Sequence, residues 1–357
     1  APDGSRRRSG LTAPSVTWLG ALLALLTVLL AAGAAVHERG QVIDIAQGRA
    51  ELLARVLEEH ATRSVETVGL ALAALGETLA AESRDATPQI SQALTQTLAN
   101  LPLLRAVAVV DGRGQVLAST AAADVGRTLA LSRLGPLPAP GQDRLGLFVQ
   151  GRSLAVLVAG ATPDAPAGVG FVPLVRALAG WNEGRLLIGL INADAIANHQ
   201  QQTLESDRAA AMLASLQGRL LAATSDVPQA PGAMLPPLPA FAQYLPSVEH
   251  ASYVGAGAGG GPHVVAFRAS RTRPLVVLVE MPLPAVLKRW TQDTWRLAAV
   301  AAVVATVLLL LTAVAARGQR GRRQAQAEVA AREREMSAIV GSVQELIFRT
   351  DAVGRLI

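Results

Sequence analysis

The chain has no cysteine. That excludes disulfides, c-type haem attachment and cysteine-based metal sites. Its five histidines are His37, His60, His199, His250 and His263, and none occurs in a compact metal-ligand spacing. There is no Ser-elbow of the form G-x-S-x-G and no P-loop. The acids of the middle region are scattered. No catalytic constellation and no cofactor motif emerges, and composition fits a binding module on an alanine- and leucine-rich frame.

Charge is missing from two long stretches. Val16–Val36 (VTWLGALLALLTVLLAAGAAV) and Leu297–Ala316 (LAAVAAVVATVLLLLTAVAA) are each long enough to cross a bilayer as a helix. Between them lie 260 residues, too many for a hairpin loop. A secretory signal peptide is the rival reading of the first run, because it has an Arg-rich start and small residues at Ala31–Ala35. The run is longer than an ordinary signal core, and a helical pattern follows it without a break, so a retained anchor is the reading adopted.

Arg6, Arg7 and Arg8 precede the first run, and Arg317, Arg320, Arg322 and Arg323 follow the second. Basic flanks stay on the cytoplasmic side. Both spans then agree, with residues 37–296 outside the membrane and both ends in the cytoplasm. Charge counts agree with this. Residues 1–15 hold three Arg and one Asp, and residues 317–357 hold eight Arg and five acids. Of 32 basic and 27 acidic residues, 21 of each sign are left for the middle, which is neutral. A pI near 10.7 would ordinarily suggest nucleic acid. Here the excess lies beside the membrane, so anionic lipid is the expected partner and nucleic acid is not.

From Glu38 to Ala81 there is no proline. Leu53, Leu57, Ala61, Ser64, Val68, Leu72, Leu75 and Leu79 follow a three-four spacing, which makes one stripe on a long helix. A helix that long needs a surface to lie against, in its own domain, in a second subunit, or in both. A shorter helix is expected from Pro88 or Gln89 to Ala99. The pattern then changes to strands. Arg105–Val110 and Gln115–Ser119 flank a tight turn at Asp111–Gly114. Gly146–Val149, Ser153–Val158 and Arg185–Ile191 are further strand candidates, and Asn192-Ala-Asp194 reads as the cap of a helix running towards Glu205.

A second, smaller set of strands follows. Ala210–Ala214 is a weak candidate, and Leu216–Ala223 holds another turn. Asp226–Pro246 is proline-rich and reads as an irregular excursion. His263–Ala269 and Leu275–Glu280 are the clearest pair, with Arg271–Arg273 as their turn. Pro282 or Pro284 then starts a short helix leading to Trp290 and Trp295, placed for the membrane interface. The glycine run Val254–Gly261 lacks a following Lys-Ser/Thr, so it reads as a flexible hairpin loop and not as a phosphate cradle.

In this order, Leu103–Thr120 (LLRAVAVVDGRGQVLAST), Gly184–Ala195 (GRLLIGLINADA) and His263–Trp290 resemble parts of the extracytoplasmic double Cache sensor of bacterial membrane receptors. The resemblance covers about residues 38–290. It implies an α+β two-span membrane protein, with a long helix and two tandem PAS-like antiparallel sheets outside. It also implies a small-molecule ligand held by the membrane-distal sheet, with a carboxylate as the candidate that the family's amino-acid pocket suggests. That pocket uses an arginine with nearby aromatics, then a later tyrosine and aspartate. Arg133 stands in the arginine position after Val125-Gly126, but Ser132–Pro136 lacks aromatics, and both tyrosines, Tyr244 and Tyr253, lie in the proximal half. Arg133, Arg152, Trp181 and Asp194 are the candidate ligand contacts: the arginines for a carboxylate, Trp181 to cover an apolar or cationic portion. Their plainer readings are surface or structural arginines, a packing tryptophan and a helix-cap aspartate.

The expected domains are a cytoplasmic N-terminus 1–15, a span 16–36, a helical scaffold 37–100 and a distal sheet domain 101–205. After these come a proximal sheet domain 206–290, a span 297–316, a signalling helix 317–341 and residues 342–357. Val329, Met336 and Val343 recur every seven residues, which suggests pairing in a homodimer. Ser342–Ile357 resembles the opening of a cytoplasmic PAS domain, with Asp351 and Gly354 in its turn. In the family such a domain commonly precedes a histidine kinase or a diguanylate cyclase, sometimes with a phosphodiesterase. The chain itself carries no ATP site, phosphoacceptor helix or cyclising motif, so its own turnover is expected to be nil. Two other readings stand beside sensing: an assembly protein that binds another envelope protein, and a chemoreceptor with a methyl-accepting tail, against which the PAS-like opening speaks.

The topology is tested by cysteine labelling, on a background free of native thiols. Gly141→Cys should react with a membrane-impermeant maleimide in intact cells, and Gly318→Cys should not. The reverse pattern overturns the topology, and cleavage after Ala35 would favour the signal-peptide reading.

Overall fold

The computed structural model describes residues 13–81, 87–179, 184–204, 209–245 and 247–344. Trp181, Glu205 and the PAS-like residues from 345 onward therefore lie outside the described residues. The chain divides into two compact units, one made of residues 1–39 with 289–357, the other of residues 40–288.

The first unit is helical. It contains the start of α1 (Ala13–Ala81) and almost all of α5 (Lys288–Gln344). Each holds a window apolar enough to cross a membrane. These helices make a two-span membrane protein, with the residues between the spans outside and the flanks inside. Their contact uses small side chains: Ala24, Ala35, Ala301 and Ala316 are buried, while Leu22, Leu29, Leu310 and Val314 are exposed. Small residues let apolar helices approach closely where burial of apolar groups gives no driving force. A Cβ at Gly20 would collide with Thr312. Trp290 Nε1 donates to Ala35 O at 3.0 Å.

The second unit holds two antiparallel sheets. The first comprises β1 (Leu104–Val110), β2 (Val116–Ser119), β3 (Asp143–Leu145), β4 (Val149–Gln150), β5 (Gly170–Ala177) and β6 (Leu186–Asn192), ordered β2-β1-β6-β5-β3 with β4 on β5. α2 (Thr87–Asn100) precedes it, and α3 (Ala193–Leu204) leads out of it. The second sheet comprises β7 (Ala210–Ser215), β8 (Leu220–Ala223), β9 (His250–Ala256), β10 (Pro262–Ala269) and β11 (Leu275–Pro282), ordered β8-β7-β11-β10-β9. Then α4 (Leu283–Val286) leads into α5.

The two sheets repeat one local design. Asp111 N donates to Gln115 O and Gly114 N to Asp111 O; Ser215 N donates to Arg219 O and Gly218 N to Ser215 O. Gly114 and Gly218 both take positive φ, 92° and 82°, which their turns require. Each first hairpin has a bulge, at Val109/Val110 and at Leu213/Ala214. Thr120 Oγ1 accepts from Val107 N, and Thr224 Oγ1 from Ala211 N, both at 3.1 Å. Such matched backbone pairing identifies two copies of one module.

Sequence patterning misplaces parts of this. Ser153–Val158 is not a strand: Leu154–Leu157 forms a 3₁₀ turn, with Leu154, Val156 and Leu157 buried against the first sheet. A short apolar run reads alike in either form. β5 has no forerunner among the sequence-based strands, because Pro173 interrupts it. In the structure β3 pairs with residues 174–176 and β4 with 170–171, so Pro173 falls at the break between them. Its carbonyl still accepts from Gly146 N at 2.7 Å, and the missing N–H removes no ladder bond there. β9 likewise takes Val254–Ala256 out of the expected glycine loop.

The core explains the long helix. Ala50, Ala54, Leu57, Ala61, Val65, Val68, Leu72, Leu75 and Leu79 of α1 are buried. They form one cluster with Val107, Val109, Leu174 and Leu187 of the first sheet and with Leu213, Val264, Val277 and Val279 of the second. Each large aliphatic buried this way contributes about 1.5–3 kcal/mol. Polar contacts set the helix register. Glu58 pairs with Arg268 at 3.4 Å, the hydroxyls of Thr62 and Ser270 are hydrogen-bonded at 2.8 Å, and Thr272 Oγ1 donates to Glu66 Oε1 at 2.6 Å. Asp143 of the first sheet pairs with Arg273 of the turn between β10 and β11 at 3.0 Å, both side chains largely buried. Gly69 makes room for that pair, since a Cβ there would stand 2.5 Å from Asp143 Oδ2 and 2.9 Å from Arg273 Nη2.

Gly189 of β6 sets the seat of the helix on the first sheet. A Cβ there would lie 3.2 Å from Leu72 Cδ1 and 3.3 Å from Leu104 Cδ2. Gly189→Val should therefore destabilise the domain by about 1–3 kcal/mol, as overpacking does. Denaturant unfolding, with Gly318→Ala as an open-surface control, measures it.

Candidate functional site

Three of the four sequence-derived ligand contacts can be located, and their side chains have partners or exposure of their own. Arg133 lies in the 3₁₀ turn Leu131–Leu134, and its Nη1 donates to Val156 O at 2.6 Å. Arg152 is exposed, and its backbone N–H donates to Asp164 Oδ1 at 2.7 Å. Both flank the 3₁₀ turn that covers the outer face of the first sheet. Asp194 stands in the first turn of α3, paired with Arg105 of β1. It lines a shallow cleft between α3 and the 222–231 segment. Trp181 lies outside the described residues.

The outer face of the first sheet is packed with hydrocarbon. Leu134, Leu154, Leu157, Phe171, Ile188 and Leu190 are buried there in one cluster. A buried carboxylate sits in that region. Asp124 is 2% exposed, and burial pushes its pKa up, with Arg127 and the Leu154 N–H opposing the shift.

A different constellation lies in the second sheet. β11 alternates Leu275, Val277, Val279 and Met281 towards α1 with Val276 and Leu278 towards the other face. Glu280 shares that other face, because side chains alternate along a strand. Neighbouring strands place Val265 and then Tyr253 in the same row. Glu280 is 4% exposed. Both its oxygens lie 3.0 Å from a single donor, Ala258 N. His263, diagonal to it on β10, turns its Nδ1 towards Gly261 O at 3.2 Å. A Cβ at Gly257 would stand 2.6 Å from His263 Nδ1 and 2.8 Å from Glu280 Oε2, so glycine allows the loop to close over both side chains. Burial pushes the Glu280 pKa up, and the Ala258 N–H and His263 oppose the shift. Burial also pushes the Tyr253 hydroxyl to about 12.

Glu280 forms part of the wall of a cavity of about 440 Å³, with His263, Gln201, Leu204, Val227 and, exposed at its rim, Asp226. No sequence signal marks this site. Its parts come from α3, the proline-rich excursion and two strands, and Glu280 reads in sequence as the polar end of an apolar strand.

A further ionisable contact joins α1 to α3. The rings of His60 and His199 stack with centroids 3.6 Å apart. Burial lowers the His60 pKa, and repulsion from His199 lowers it further.

No protein-family model matches the chain, and no curated protein matches it. Solved structures share its fold. The extracellular domain of rpHK1S-Z16, a provisionally assigned histidine kinase, aligns with TM-score 0.56 and 18% identity over 69% of this chain and 98% of that one. The extracellular domain of soHK1S-Z6, assigned in the same way, aligns with TM-score 0.50 and 11% identity over 70% and 98%. The periplasmic sensory domain of the Campylobacter jejuni chemoreceptor Tlp1 aligns with TM-score 0.50 and 11% identity over 68% and 98%. At these identities the likeness is one of fold.

The stacked imidazoles give the domain a pH dependence of definite sign. A His60 pKa lowered in the folded state means that the unfolded chain binds more protons just below about pH 6.5. The contribution is full above that value and is lost as the pH falls below it through the lower folded value. Between about pH 7.5 and about pH 5.5, His199→Gln should lose less melting temperature than the unmodified chain. Equal losses would show that the pair does not repel.

Proposed function

We propose that the chain is the input half of a transmembrane receptor: its outer domain binds a small molecule and its spans pass the change to a cytoplasmic output. The observation that carries this reading is the layout of the two long helices. α1 holds both the first apolar run and the stripe packed on both sheets. β11, which holds Glu280, leads through α4 into α5, which holds the second run. A ligand with different affinities for two packings of such a domain shifts their populations, and only that difference can do work at a distance. The like-folded sensory and extracellular domains fit this reading.

The receptor works as a homodimer. On α1, Ile45, Leu52 and Val56 are exposed at spacings of seven and four, a second apolar stripe apart from the one in the core. On α5, Val329 and Met336 are exposed at a spacing of seven. The output is a histidine kinase or a diguanylate cyclase, entered through the PAS-like segment that opens at Ser342.

Insertions in α5 test the coupling. With the chain fused to its output domain, one residue added after Ala331 should turn the downstream face by about 100° and alter activity and ligand response. Seven residues should largely restore both. Activity unchanged by insertions of one, four and seven residues would reduce α5 to a connector and overturn the reading.

A further inference from the structure

Glu280 is a buried acid. Among the described residues no Lys or Arg side chain pairs with it, although Arg residues pair with Asp143, Asp194, Glu58 and Glu249 elsewhere in this domain. A carboxylate offers about four acceptor positions, and buried charges are ordinarily paired. Here a single backbone N–H serves both oxygens. The remaining capacity faces a cavity of about 440 Å³, within the range of small-molecule sites. The lining is anionic at Glu280 and at the exposed Asp226, and apolar at Val227, Leu204 and Pro228. His263 and Gln201 add a switchable donor and an amide.

We infer that this cavity in the second sheet binds a small organic cation, an alkylammonium whose charged nitrogen pairs with Glu280 while its carbon chain lies along the apolar wall and its outer end meets Asp226. This names a site and a ligand charge opposite to those drawn from sequence, where arginines of the first sheet await a carboxylate. It rests on the receptor reading only for its physiological meaning, because binding is measured without any output. Glu280 stands on β11, so a cation drawn to it acts on the strand that α4 joins to α5.

The cost of keeping Glu280 supplies an independent readout. Its pKa is raised by burial, so the folded chain holds its proton more tightly than the unfolded chain does. That contribution to stability is full below the ordinary glutamate range and is lost as the pH rises through the folded value. At neutral pH the ionised group therefore weakens the fold, and Glu280→Gln should melt at a higher temperature. A residue present only for structure would not show that sign. Function held at the expense of stability would.

The experiment uses the full chain in nanodiscs of zwitterionic lipid, titrated calorimetrically at about pH 7.5 with three probes of equal length: butane-1,4-diammonium, butane-1,4-diol and succinate. The diammonium should bind, and the diol and succinate should not. Glu280→Gln should weaken the diammonium by about tenfold or more while raising the melting temperature. Asp226→Asn should weaken it less, and Glu77→Gln, on the exposed face of α1, should leave it unchanged. No binding of the diammonium, equal affinity in Glu280→Gln, or preferential binding of succinate each overturns the cation site. Those results leave the insertion series untouched, so a failed cation site and a failed receptor are separately visible.

Discussion

The structure depends on one long apolar stripe. Nine buried positions of α1, from Ala50 to Leu79, pack against the inner faces of both sheets and join them in a single cluster. Neither sheet could bury that face alone, since its inner residues are as apolar as the helix. The alanines at the start of the stripe and the leucines at its end set how closely each sheet approaches. Where approach must be closest, glycine replaces a side chain: Gly189 receives Leu72, and Gly69 receives the Asp143–Arg273 pair. Rigid packing of this kind transmits displacement, because close-packed interiors do not deform smoothly.

Within that frame the two sheets share one local backbone design. Turn, bulge and threonine anchor recur in both hairpins at the same places. Their outer faces differ. The first is filled by Leu134, Leu154, Leu157 and Phe171. The second is filled by Phe267, Leu278 and Leu238 near its middle, yet has the buried Glu280 beside an open cavity at one end. A repeated backbone therefore carries unlike chemistry, as expected where function is grafted on a fold. The charges on the first sheet are used internally: Arg105 holds Asp194, and Arg133 caps Val156 O.

Glu280 and the His60–His199 stack respond to acidity in opposite senses. Protonation relieves Glu280 of its desolvated charge, whereas protonation of His60 adds charge beside a second imidazole. Acid therefore eases the floor of the second-sheet cavity and strains the contact between α1 and α3. The two groups sit on different elements, so the effects combine in the shared core and do not cancel locally.

Much of the architecture is legible in the sequence because it depends on periodicity and charge. Uncharged runs of membrane length, basic flanks, the three-four stripe of α1 and the Asp111–Gly114 turn are local signals that any partner must respect. Where a local signal conflicts with tertiary context, the sequence misleads. Pro173 hides a strand that a break between β3 and β4 can accommodate, and the apolar residues of Ser153–Val158 are buried by a 3₁₀ turn. The cavity was not legible, for a physical reason. Gln201, Asp226, His263 and Glu280 are unremarkable apart, and a polar residue at a strand end ordinarily faces water. Only the pairing of β10 with β11 and the closure of the Gly257 loop bury Glu280 beside the cavity, with no Lys or Arg side chain paired to it among the described residues. The sequence by itself determined the spans, their orientation and the helical spine, because those follow from what each residue prefers alone. The tertiary structure decided which carboxylate is desolvated, because desolvation belongs to the neighbours and not to the residue.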